Sequence, residues 1–240
     1  MKKFLINSKE KLFFKIKRLV FENIIFKSRN KTKIFEKIYK YNYWGSKESI
    51  SGPGSNLKRA NNLIINFPNI IKKYQIETVF DTPCGDLNWM REILNQKIIK
   101  KYIGGDIVVD LIHQNKLKKF NTDCNFLIFD LTKDNFPKSD LWICRDILYH
   151  FSYEDIFKTL ENFVNSDVKY ILLSNCIVDN GYINKDINTG DYRDITLYKS
   201  PFNFKDNSLE KIKDVKFDDY KEEMCLWTKE QIKSFITQNK

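Results

Sequence analysis

Apolar and polar positions alternate along this 240-residue chain in two different rhythms. Short apolar runs, the pattern of buried strands, are predicted at Thr78–Asp81, Lys101–Asp106, Asn125–Asp130, Leu141–Cys144 and Tyr170–Ser174, the first four ending in an acid or a cysteine. Between them lie stretches with apolar residues three and four apart, read as helices over Leu57–Tyr74, Leu87–Asn95, Val108–Phe120 and Tyr153–Asn165. Strands that alternate with helices predict an α/β fold, a doubly wound, mostly parallel Rossmann-like sheet with helices on both faces. Right-handed crossovers bring every strand C-terminus to one edge, where ligands bind at the switch in strand order. Asp81, Asp106, Asp130 and Cys144 are therefore expected side by side on that edge.

Around this unit the pattern changes. Residues 1–42 read as a basic amphipathic helical arm, with Phe13, Ile16, Leu19, Val20 and Ile24 at helical spacing. Residues 43–56 form a Gly/Ser/Pro-rich loop, and 176–206 an irregular insertion after the fifth strand; both are expected to be walls or lids. The chain then closes with a strand-like and a helical piece. The domain proper is expected to span 43–240.

Charge refines this picture. The net +10 is almost all in the arm: residues 1–33 hold eleven Lys/Arg and two Glu, and the remaining 207 residues are nearly neutral. A nucleic-acid face on the whole fold is therefore not expected. The arm is expected to pack on the domain, with an anionic membrane surface or a homodimer as alternative partners. No run is long and apolar enough for a bilayer span, and the first residues do not read as a signal peptide. The five cysteines are odd in number and scattered, without Cys-x-x-Cys, so neither a zinc site nor any other metal is expected, and a reducing cytoplasm fits.

Four segments carry candidate chemistry. In VFDTPCGDLNWM (79–90) a strand ends in Asp81, a turn holds Pro83, Cys84 and Gly85, and a helix is expected from Leu87, so Asp81, Pro83, Cys84, Gly85, Asp86 and Trp89 are candidate cofactor contacts. In YIGGDI (102–107) Asp106, 25 residues after Asp81, can accept both hydroxyls of a ribose, with Ile107 beside it. In FLIFDLT (126–132) Asp130 and Leu131 end the third strand and are candidate cofactor contacts. In DLWICRDILYHFSYEDI (140–156) Arg145, a further candidate cofactor contact, and Asp146 follow the fourth strand. His150, one of two histidines, is the candidate general base, oriented by Asp146. Trp44, Asp191 and Arg193 are candidate substrate contacts, Arg193 for a phosphate or carboxylate.

These segments resemble a family of class I S-adenosyl-L-methionine-dependent methyltransferases of bacterial surface-polysaccharide (capsule and O-antigen) clusters. The resemblance covers about residues 35–232 and is carried by YWGSKESISGPGS, DTPCGDLNWM, YIGGDI, CRDILYHFS, NTGDYRDITLYKSPFNF and LWTKEQI. It implies S-adenosyl-L-methionine as cofactor, S-adenosylhomocysteine as product, and the hydroxyl of a sugar, nucleotide-activated sugar or other small metabolite as acceptor. A phosphorylated amino-acid intermediate of a capsule modification is the alternative acceptor. Pro83 and Leu87 replace two glycines of the family's first motif, and Tyr192 to Leu197 depart from its Trp-Arg-Pro-Leu-Asn-Leu run. A nucleic-acid acceptor is not expected, because the segment after the fourth strand lacks an Asn/Asp-Pro-Pro-aromatic motif. A dinucleotide oxidoreductase lacks its Gly-x-Gly-x-x-Gly fingerprint.

Overall fold

In a computed structural model the described residues are 16, 19–28, 30–215 and 221–238. Seven strands form one sheet in the order β3-β2-β1-β4-β5-β7-β6. They are β1 Thr78–Asp81, β2 Lys101–Asp106, β3 Asp123–Ile128, β4 Leu141–Cys144, β5 Tyr170–Ile177, β6 Glu210–Val215 and β7 Lys221–Thr228. The first five are parallel, and β7 runs antiparallel to both β5 and β6. The mostly parallel doubly wound sheet expected from the sequence is thus observed, with one addition. The region after residue 206, read as a single strand-like piece, forms two strands, β6 and β7.

The helices are α1 Lys31–Lys40, α2 Leu57–Lys73, α3 Met90–Leu94, α4 Val109–Lys116, α5 Tyr153–Val164 and α6 Lys229–Gln238. Each of the longer ones follows from an apolar stripe and local caps. Helix α2 buries Ala60, Leu63, Phe67, Ile70 and Ile71 on one face. Helix α5 starts where the Ser152 side chain accepts a hydrogen bond from the Asp155 N–H, and buries Ile156, Leu160 and Phe163. The strands sort their side chains by parity into two cores. Phe80, Trp142 and Cys144 face one helical layer, and Val79, Leu141 and Ile143 face the other. Burial of each such side chain contributes about 1.5–3 kcal/mol.

The expected helix at Leu87 begins later. Leu87 adopts a left-handed backbone (φ 60°), so the turn continues to Trp89 and only the five-residue α3 follows. The free N–H groups and dipole of a long helix, expected next to the first turn, are therefore not placed there.

Part of the arm belongs to the core. The chain breaks its helical run between Lys27 and Asn30, and the Asn30 side chain then accepts from Lys33 N–H to cap α1. Ile34, Phe35 and Ile38 of α1 are buried in the same cluster as Trp142, joined by Phe21, Ile25 and Phe26. Phe21 stacks on Tyr43 with ring centroids 4.2 Å apart. The insertion after β5 is also packed: Ile195, Leu197, Phe202 and Phe204 are buried. Asn184 Nδ2 donates to the carbonyls of Thr196 and Ser200 at 2.9 and 2.8 Å.

Candidate active site

Strand order reverses between β1 and β4, and a cavity of about 1010 Å³, including its open mouth, lies at the C-terminal ends of β1 to β4. Its floor is built from the residues that end those strands. Asp81, Thr82, Pro83, Cys84 and Gly85 follow β1, and Asp106 and Ile107 end β2. Asp130 and Leu131 follow β3, and Arg145, Asp146 and His150 follow β4. Trp89 and Trp44, also expected from the sequence, line the cavity as well.

The turn after β1 is held from three sides. Trp142 Nε1 donates to the Thr82 carbonyl at 3.1 Å, and Cys84 N donates to Gly105 O at 2.8 Å. Gly85 N donates to Asp106 Oδ2 at 3.1 Å from a backbone with φ +57°, a conformation that favours glycine. Asp106 Oδ1 also accepts from Val108 N at 3.0 Å. Asp81 accepts from the Tyr102 hydroxyl at 2.6 Å.

Both carboxylates are buried, at 2% and 5% exposure, and neither has an ion pair among the described residues. Burial pushes Asp81 up to about 7, against the Tyr102 hydrogen bond that stabilises its charge. Burial likewise pushes Asp106 up to about 6, against N–H donors from Val108, Gly85 and Ile107. Two further polar atoms on the cavity wall, Trp44 Nε1 and Thr82 Oγ1, are buried without a hydrogen-bond partner. Uncompensated acids and orphaned polar groups at a strand-end cavity fit a ligand that brings a cation, hydroxyls and further polar atoms. The amino group, sulfonium and ribose of S-adenosyl-L-methionine meet that description. Asp106 and Asp81 would hold its ribose and cationic portion, while Ile107 and Leu131 offer apolar surface to its base.

Asp86 does not line the cavity. It accepts from Ser49 Oγ, Ile50 N and Ser51 Oγ at 2.8, 3.0 and 3.1 Å. These bonds anchor the 43–56 loop. That loop is pinned a second time, because Arg145 Nη2 donates to the Gly54 carbonyl at 2.9 Å. A loop fastened at both points is a wall, and it presents Trp44, Ile50, Ser51 and Ser55 to the cavity.

Arg145 itself is spent on partners. Its Nε and Nη2 reach Asp214 Oδ2 at 2.9 and 2.7 Å, and its Nη1 reaches Asp146 at 3.3 Å. Arg59 of α2 similarly pairs with Glu222 at 2.9 Å. The carboxylates of Asp146, Asp214 and Glu222 approach within 4.8 Å of one another, with these two guanidiniums offsetting their charge.

Asp146 sits in a left-handed backbone conformation (φ 64°). Ser174 Oγ fixes it, accepting from its N–H at 2.9 Å and donating to Oδ1 at 3.1 Å. A Cβ on Gly54 would collide with Asp146 Oδ2. Gly54→Ala is expected to displace the Asp146 carboxylate and lower acceptor turnover by about 100-fold, with affinity for S-adenosylhomocysteine unchanged. Paired steady-state kinetics and calorimetry check this. An unaltered kcat/KM would remove Asp146 from the acceptor's surroundings.

No hydrogen bond joins Asp146 to His150, so the expected acid–histidine pair is corrected. His150 Nδ1 instead donates to the backbone carbonyl of Asp191 at 2.8 Å, because a carbonyl only accepts. This leaves Nε2 as the acceptor nitrogen. Burial lowers the His150 pKa below 6.5, against the stabilising Asp191 carbonyl, so the ring is neutral at pH 7. The Trp44 indole packs against it with centroids 4.9 Å apart.

Neither Asp191 nor Arg193 lines the cavity. The Arg193 guanidinium donates to the carbonyls of Lys185, Leu148 and Phe151 at 3.1, 2.7 and 2.6 Å. It staples the insertion to the turn that carries His150. Sequence reasoning missed Lys31, Phe35 and Tyr39 of α1, which also line the cavity. Tyr39 OH accepts from Gln114 of α4 at 3.0 Å and Lys31 pairs with Asp155 of α5 at 3.0 Å, so α1 spans the mouth from one side of the sheet to the other. The signal was present as a Lys–Phe–Tyr stripe at i, i+4, i+8.

No protein-family profile matches the sequence, and no curated protein matches it. Solved structures do. A SAM-dependent methyltransferase from Leishmania major is 13% identical with a TM-score of 0.57, over 88% of this chain and 89% of that one. Magnesium protoporphyrin IX methyltransferase from Synechocystis PCC 6803 with bound SAH is 12% identical with a TM-score of 0.55, over 89% and 98%. The same enzyme with bound SAM gives 13% and 0.53, over 95% and 99%. The described chain has the Rossmann-like fold of SAM-dependent methyltransferases.

Proposed function

We propose that the protein is an S-adenosyl-L-methionine-dependent methyltransferase that methylates a hydroxyl of a sugar or a similar small metabolite. The observation that carries this reading is the buried, unpaired Asp81 and Asp106 at the turn after β1, complementary to a cationic nucleoside. The fold shared with solved SAM-dependent methyltransferases supports it. So does the motif resemblance, which extends the reading to surface-polysaccharide precursors.

The bound cofactor supplies an electrophilic methyl group on a sulfonium. The chain supplies the rest. Asp106 and Asp81 orient the nucleoside, the pinned 43–56 loop and α1 exclude water, and His150 Nε2 takes the hydroxyl proton as the acceptor oxygen attacks. His150 is neutral at pH 7 and therefore ready to accept that proton. Asp146, beside it in the cavity, can accept a hydrogen bond from a second acceptor hydroxyl.

A nucleic-acid acceptor is disfavoured by charge. Four carboxylates (Asp81, Asp106, Asp130, Asp146) line the cavity with two cations, Lys31 and Arg145, both already ion-paired. On this reading the phosphates of a nucleotide-activated sugar stay outside the cavity. Calorimetric titration is expected to show binding of S-adenosylhomocysteine and none of NAD. Binding of NAD alone would overturn the reading. A methyl-transfer screen over sugars with labelled cofactor then names the acceptor.

A further inference from the structure

Four of the large hydrophobic side chains exposed among the described residues line one groove, Ile16 at 53%, Val20 at 43%, Ile24 at 66% and Tyr41 at 54%, and Leu19, at 49%, lies in the same stretch of chain. Scattered single exposures are ordinary on a protein surface, but a contiguous patch is not. The spacing of residues 16, 19, 20 and 24 puts them on one side of a helical run. Phe21 and Ile25 of the same run are already buried on the domain. A shallow groove of about 960 Å³, including open solvent, runs along the patch and is bordered by Lys37.

The charge around the patch selects its occupant. Residues 1–33 carry eleven Lys/Arg against two Glu, and Lys27, exposed, lies next to the stripe. Two copies meeting through this face would bring two strongly positive segments together, which opposes self-association. An anionic surface removes that repulsion and also accepts apolar side chains into its outer layer. We infer that the arm is a peripheral docking face for an anionic lipid bilayer, with Ile16, Leu19, Val20 and Ile24 entering the headgroup–acyl boundary and the exposed Lys27 and Lys37 facing the phosphates. No described helix is long and apolar enough to cross a membrane, so the contact is with the surface. The face adjoins α1, whose Lys31, Phe35 and Tyr39 line the cavity, and this sets the cavity close to the lipid.

The test is co-sedimentation of the full chain with vesicles of phosphatidylcholine alone, or of equal parts phosphatidylcholine and phosphatidylglycerol, at low and high salt. The expected result is binding to the anionic vesicles only, weakened by salt, and reduced about tenfold or more in Val20→Asp/Ile24→Asp. Both positions are exposed, and an unchanged thermal midpoint confirms that this variant folds. Ile24→Asp alone repeats the test at the most exposed position. Absence of binding to anionic vesicles overturns the proposal. Equal binding by the variant assigns the effect to charge alone and overturns the apolar face. A dimer in sedimentation that the double substitution dissociates gives the face to a second copy, and also overturns it. None of these readouts depends on the cofactor or the acceptor.

Discussion

Replacing His150 by alanine is expected to lower kcat by about 100- to 10,000-fold, the usual contribution of a positioned general base, while affinity for S-adenosylhomocysteine is retained. The reasoning rests on geometry before acidity. Nδ1 is committed to the Asp191 carbonyl at 2.8 Å, so the ring has one tautomer and one available lone pair, on Nε2, inside the cavity. Burial then keeps that ring neutral, because the charged form loses more hydration than the surrounding groups restore. Asp191 is reached through its backbone, so Asp191→Ala keeps the carbonyl and is expected to leave kcat nearly intact. Steady-state kinetics with saturating cofactor checks both variants. Full turnover by His150→Ala would show that the acceptor needs no base, as a carboxylate acceptor would not.

The same group fixes the pH dependence. A lowered His150 pKa means that the neutral, proton-accepting form dominates above a value lower than 6.5. With cofactor saturating, kcat should therefore climb through that lowered pKa and stay flat on its alkaline side. In His150→Ala the residual rate should lose this acidic limb. A wild-type limb centred above 6.5 would contradict the buried neutral ring.

How far the sequence reveals the site depends on what each residue bonds to. Asp81, Asp106 and Asp130 were legible because an acid that ends an apolar run in an alternating α/β pattern has one place to go, the C-terminal edge of the sheet, and Asp146 because it follows such a run by two residues. Gly85 and His150 were legible because chain context restricts where they sit. The partners of Arg193 were not legible because they are backbone carbonyls of Lys185, Leu148 and Phe151, and no residue type advertises a carbonyl. The contacts of Asp86 were hidden for a related reason. Besides the local Asn88 N–H, its three other donors come from a loop more than thirty residues upstream, a pairing decided by tertiary packing. Helix α1 shows the limit from the other side. Its Lys31–Phe35–Tyr39 stripe was visible, but which of its faces meets the cavity is settled by Ile34 and Ile38 entering the core. The start of α3 failed on local backbone geometry, since the left-handed Leu87 leaves no mark in the hydrophobic pattern.

Asp106→Asn is the substitution expected to cost most in cofactor affinity. The wild-type carboxylate accepts from Gly85 N and Val108 N with separate oxygens, and its remaining lone pairs face the cavity. An asparagine supplies one acceptor oxygen, so an N–H of the turn would face a second donor, and the charge that receives ribose hydroxyls is gone. Loss of a charged hydrogen bond amounts to about 1.5–3 kcal/mol, so affinity for S-adenosylhomocysteine should fall about 10- to 100-fold. The sign with pH follows from linkage. Burial raises Asp106 to about 6 and Asp81 to about 7, so the free protein binds protons at these sites more tightly than the unfolded chain does. Their contribution to stability is present in full below about pH 4, the usual range of an unfolded aspartate, and is lost as pH rises through about 6 and about 7. Cofactor binding, which favours the ionised carboxylates, should run the opposite way, strengthening from pH 5 toward pH 8. Thermal midpoints of the free protein and calorimetric affinities across that interval test both trends, and Asp106→Asn should flatten the lower part of each. Cofactor affinity that is independent of pH in the wild-type protein would mean that neither carboxylate meets the nucleoside.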